Sequence, residues 1–139
     1  MGDRIKVLEG GAAMRFGLLL FGLSSLLLGL LMALAPGVFF TLVGPYGVRN
    51  DHFIHDAASF QIALAVLLLA AVRCHSWRVP ALVANAIQWG LHTLSHLIDI
   101  GDADPHWLGY FDFFALAAGT GLLVVMAFSA RRNEHQELP

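Results

Sequence analysis

Four long apolar blocks, separated by short polar ones, organise this chain. The first starts at Phe16 and runs for 20 uncharged residues to Ala35, ahead of Pro36-Gly37. At about 1.5 Å per residue, a helix of that length crosses the roughly 30 Å of bilayer hydrocarbon. Gly22, Ser25, Gly29 and Ala33 form a stripe of small residues along it, suited to close helix packing. The basic start, the apolar run and Ala33-Leu34-Ala35 also resemble a secretory signal, but the run is longer than the core of such a signal, so it is read as a span. Gly37 to Gly47 stays apolar but carries three glycines and Pro45. It is expected as an outer loop or a shallow re-entrant segment.

The second block, Ala57 to Val72, has 16 residues and would cover only about 24 Å. Its helix is therefore expected to begin near Asp51 or His52, with Arg73 closing the other end. On that helix His52, His55, Asp56 and Ser59 share a face, and Gln61 points elsewhere. Cys74 to Arg78 reads as a tight turn, and Pro80 suits the first turn of the next helix. The third block, Val79 to Ile98, keeps full spanning length although it holds Asn85, Gln88, His92 and His96. At 100° per residue these four and Asp99 fall within an arc of about 80°. The fourth block, Phe113 to Ala130, is slightly short, which draws Tyr110 and Asp112 into its first turn; Arg131 and Arg132 end it. Spans are expected at approximately 16–36, 53–73, 79–100 and 108–130. They give one all-α domain over residues 1–139, a four-transmembrane-helix bundle.

Composition agrees. Hydrophobic residues make up 58% of the chain and charged residues 13%, against roughly 25% charged in a soluble domain. A net charge of −2 and the lack of a basic patch argue against a nucleic-acid partner and leave the lipid bilayer. The single cysteine, Cys74, permits no intrachain disulfide. Seven of the eight cationic residues (Arg4, Lys6, Arg15, Arg73, Arg78, Arg131 and Arg132) fall on one side of the spans, with Arg49 alone on the other. The positive-inside rule then puts both termini in the cytoplasm of a multi-pass plasma-membrane protein.

That orientation gathers His52, His55, Asp56, His96, Asp99 and Asp112 at the extracytoplasmic end, with His92 about one turn deeper. Ionisable groups within a bilayer cost about 2.5–3.5 kcal/mol each at its centre and usually face the bundle interior. Imidazoles four residues apart with nearby carboxylates can chelate a metal, and the mixture suits zinc, iron or manganese better than copper(I). His52, His55, Asp56, His92, His96, Asp99 and Asp112 are the candidate ligands. Asp56 or Asp99 is the candidate general base of a metal-dependent enzyme acting on an apolar or lipid substrate. The same residues could instead form a structural or pH-sensing network in a non-enzymatic accessory protein. Haem, or a quinone, in a redox subunit is a further reading; the carboxylates suit a multiply charged ion better than a porphyrin iron. The Gly22/Ser25/Gly29 stripe is a candidate homodimer interface or a packing surface within the monomer, and a membrane-complex partner is compatible with either.

The pattern Asn50-x-His52-x-x-x-Asp56, followed by His92-x-x-x-His96-x-x-Asp99, resembles a group of small bacterial integral membrane proteins loosely grouped with DoxX-like proteins. The likeness runs from about Gly44 to the end of the fourth span. It implies four spans in a bacterial membrane and a candidate site, with no assigned reaction. The group usually carries a third histidine where this chain has Asp99, and His55 lies outside its pattern.

Overall fold

In the computed structural model, which describes residues 2–136 and the side chains of residues 11–133, the chain forms five α-helices. They are α1 (Gly2–Leu34), α2 (Pro36–Leu42), α3 (Asp51–Arg73), α4 (Arg78–Ile98) and α5 (His106–Gln136). Three are long and apolar enough to cross a membrane, over Gly11–Leu34, Asp51–Arg73 and His106–Asn133. These make the chain an all-helical integral membrane protein. Helix α4 has a similar length, 21 residues, but Asn85, Gln88, His92 and His96 leave it less apolar than the other three. Arg4, Lys6 and His135 lie outside the described side chains.

The start of α3 follows from local chemistry. Asn50 Oδ1 accepts a hydrogen bond from the Phe53 backbone N–H at 3.2 Å, an N-cap that satisfies one of the helix's orphan donors. Asp51 and Arg73 then sit in the first and last turns, where their charges complement the helix dipole. Arg49 forks onto Asp51 at 2.6 and 2.8 Å, so the cation expected alone on the outer side is paired. Two boundaries differ from expectation. The segment after Pro36, expected as a loop or a shallow re-entrant stretch, begins with a short helix, because proline at its first position presets a helical φ. Helix α5 starts at His106, which moves Asp112 into its second turn.

Packing is unequal around the bundle. Helix α1 lies closely along α3 and α4 along α5, while contact between the two pairs is much sparser. The small-residue stripe explains the first pairing. A β-carbon at Gly29 would stand 2.7 Å from Ile62 Cγ1 and 3.2 Å from the Ile62 backbone nitrogen, and one at Gly22 would meet Leu69 at 2.8 Å. Ser25 is buried between them. The stripe is therefore used within the monomer, against α3. Gly119 likewise makes room for the Trp89 ring across the α4–α5 contact.

One core cluster joins all four long helices at the end that carries the termini. Its centre is Leu18, Leu68, Leu82 and Leu123, all fully buried. Phe21 meets Trp89 edge-on above it, with ring centroids 5.3 Å apart. A second, smaller cluster at the other end holds only α1, α2 and α3 together, through Met32, Ile54, Ala58, Phe39 and Phe40. The two helix pairs thus close at one end and part at the other. Helix packing in lipid rests on close van der Waals fit rather than on water exclusion, so the α1–α3 seam should be sensitive to added bulk. Gly29→Val is expected to destabilise the detergent-solubilised protein by about 1–3 kcal/mol, seen as a lower melting temperature. Gly121→Val, where a β-carbon meets nothing within 4 Å, should leave the melting temperature nearly unchanged.

Candidate functional site in the intramembrane cavity

Where the helix pairs part, they enclose a cavity of about 670 Å³. Its walls are mostly apolar: Leu28 and Met32 from α1, Phe39 from α2, Ala57 and Phe60 from α3, Trp89 from α4, Ala115 and Leu116 from α5. Six polar side chains join them: Tyr46, Gln61, Gln88, His92, His96 and Asp112. The α4 stripe therefore faces inward over most of its length. Asn85, 1% exposed, ends it below the cavity, and its amide donates to Leu64 O of α3 at 3.3 Å and to Ala81 O at 2.9 Å. On the opposite side of α4, Val83, Ile87, Leu91, Leu94 and Ile98 are all exposed.

A residue in the loop between α2 and α3 organises the polar end. The Tyr46 hydroxyl donates to Asp112 Oδ2 at 3.0 Å and lies 3.0 Å from His96 Nδ1. A phenol has one proton, and the carboxylate takes it. His96 Nδ1 must then carry a hydrogen and donate to the Tyr46 oxygen. In the neutral imidazole this leaves Nε2 as a bare lone pair. The Tyr46 and His96 rings meet edge-on with centroids 5.0 Å apart, and His92 meets His96 in the same way at 4.6 Å. Burial of Tyr46, reinforced by its bond to Asp112 and the nearby charges of Asp112 and Asp99, raises its pKa well above that of an ordinary phenol, so the donor keeps its proton.

Tyr46 is held from both sides. Its backbone pairs with Ala103 in an isolated antiparallel bridge, and Asp104 N–H donates to Pro45 O at 3.3 Å. The loop before α3 and the loop before α5 are thereby tied together. Gly109 at the start of α5 packs against Ile100 and Ala103 without room for a β-carbon, and His106 Nδ1 donates to Gly101 O at 2.8 Å. Gly44-Pro45-Tyr46-Gly47 carried a usable signal: one aromatic hydroxyl in a turn of glycine and proline, where a fixed backbone serves a placed side chain.

The remaining candidate residues stand apart. Ile54, Ala58 and Ala65 define the buried side of α3, and His52, Asp56 and Ser59 fall on the opposite side. There His52 Nε2 and Asp56 Oδ2 form an exposed i,i+4 pair at 3.6 Å, their side chains 84% and 60% exposed. Gln61 points away from that side, as expected, and lines the cavity. His55 is exposed. Asp99 is the C-cap of α4, which ends at Ile98, so it leaves the stripe and is exposed. The cavity thus brings together His92, His96 and Asp112 of the expected set, and leaves out His52, His55, Asp56 and Asp99. Among the described residues, no three His, Cys, Asp or Glu side chains are grouped as metal ligands.

Replacing Tyr46 by Phe removes both of its hydroxyl bonds. In ¹⁵N NMR of labelled protein, His96 is expected as the Nδ1–H tautomer in the wild type. It should shift to the Nε2–H form, which free histidine favours, in Tyr46→Phe. The chain matches no protein-family model, no curated protein and no solved structure.

Proposed function

We propose that this protein crosses the membrane four times and binds an amphipathic small molecule in its outer-half cavity. The molecule's apolar body would rest among Leu28, Met32, Phe60 and Leu116, and its polar head against His92, His96, Gln61 and Gln88. The observation that carries this reading is the cavity itself: about 670 Å³, apolar-walled, with polar side chains gathered in it. Ligand pockets typically have this size and this balance. His92 is exposed although it lies on the inward stripe of α4, as expected for a side chain in an open cavity.

The fourth span is α4. Its outward stripe of Val83, Ile87, Leu91, Leu94 and Ile98 is apolar, the exposed Ser95 beside it bonds back to Leu91 O of its own helix, and Asn85, Gln88, His92 and His96 lie on the opposite side, the arrangement that makes polar groups tolerable in lipid. With the cationic residues at the end that carries the termini, both termini are cytoplasmic, and the short motifs shared with DoxX-like proteins suit a bacterial plasma membrane. Cys74, alone and exposed in the turn before α4, tests this directly. A membrane-impermeant maleimide should leave it unlabelled in intact cells and label it after permeabilisation. Asp102→Cys in a Cys74→Ser background should label in intact cells. Equal labelling of the two positions would remove α4 as a span.

A divalent metal ion, zinc, iron or manganese, is the second reading. One observation favours it: the Tyr46–Asp112 pair leaves His96 Nε2 unprotonated beside His92, the state in which imidazole binds metal. Native mass spectrometry of protein released from its own membrane separates the readings. A lipid-sized adduct, lost in Ala115→Trp, which fills the cavity, supports the first. A metal-sized increment, lost in His92→Ala/His96→Ala, supports the second. The bare chain mass in every sample would set both aside and leave a polar network that only fixes packing.

A further inference from the structure

We infer that the head group taken by this cavity is a hydrogen-bond donor, a phenolic or alcoholic hydroxyl, received by Nε2 of His96. The inference rests on the cavity-binding reading above and names its ligand class. Tyr46 has one proton, and Asp112, a carboxylate with nothing to donate, claims it at 3.0 Å. His96 Nδ1, 3.0 Å from the same oxygen, therefore holds the imidazole's proton. Nε2 is left an acceptor with no hydrogen-bonding partner among the described residues.

The surroundings sharpen the selection. Gln61, Gln88 and His92 also line the cavity and make no hydrogen bond to protein among the described residues. Each can donate as well as accept, so they adapt to whichever atoms lie beside the hydroxyl. His96 and Asp112 cannot adapt: the carboxylate only accepts, and the imidazole's tautomer is set from behind by a tyrosine pinned between two loops. An acceptor of fixed sense inside a cavity discriminates between ligands, since a ligand that covers it without offering a donor leaves it unsatisfied. An ether or a carbonyl head presents only lone pairs to Nε2 and is rejected. A hydroxyl on an otherwise apolar body is accepted.

The test compares 4-nonylphenol with 4-nonylanisole, its methyl ether, for binding to the detergent-solubilised full chain. Wild-type protein should bind the phenol about tenfold or more tightly than the ether. In Tyr46→Phe the imidazole loses its acceptor at Nδ1 and reverts to the Nε2–H form, so the preference should collapse to roughly equal affinities or reverse. Any steric cost of the methyl group is common to both proteins and cancels in that comparison. Ala115→Trp should abolish binding of both compounds.

Equal affinity for phenol and ether in the wild type, with both lost in Ala115→Trp, overturns the donor assignment and leaves the cavity reading standing. A phenol preference that survives Tyr46→Phe unchanged also overturns it, since the tyrosine would then not set the acceptor. Failure of both compounds to bind overturns the cavity reading and this inference together.

Discussion

Four polar side chains on one face of α4 constrain everything around them. Asn85, Gln88, His92 and His96 sit on a helix whose other face is apolar and exposed. Polar groups are costly inside a protein unless they are hydrogen-bonded or left facing open space, and α4 turns these toward the other helices. Asn85 meets the requirement by donating to two carbonyls. The other three meet it by facing a space between helices. The cavity is thus the place where the inward-facing polar stripe has not been packed shut.

The helix pairing makes that space available. Glycines at 22 and 29 let α1 and α3 approach closely and pack as a pair. Gly119 and the Thr93–Thr120 contact at 3.3 Å do the same for α4 and α5. Two tight pairs meeting edge to edge fill their junction only where large side chains are supplied. Leu18, Phe21, Leu68, Leu82 and Leu123 supply them at the end that carries the termini. Beyond Trp89 the facing residues include Ala57 and Ala115, and the junction stays open.

Much of this was legible in the sequence, and the parts that were not share a cause. Blocks of apolar residues fix helix length, so the start of α3 at Asp51 followed from the 16 residues of Ala57–Val72 being too few. The polar stripe of α4 followed from a 100° step per residue. Which side of α3 faces α4 did not follow, because the helix carries two plausible inward faces. The polar one, with His52 and Asp56, is the more conspicuous; the face actually used against α1 is set by Ile54, Ala58 and Ala65, which resemble any other aliphatic run. Tyr46 was missed for a different reason. Its position depends on a bridge to Ala103, 57 residues later in the chain, and helical periodicity says nothing about a pairing between two loops.

Asn85 has one more consequence. The floor it makes is sealed: below its bonds to Leu64 and Ala81 lies the packed layer of Leu68, Leu82 and Leu123, with no polar group among them. The cavity is a dead end. A ligand of this cavity would meet a one-ended pocket and not a channel.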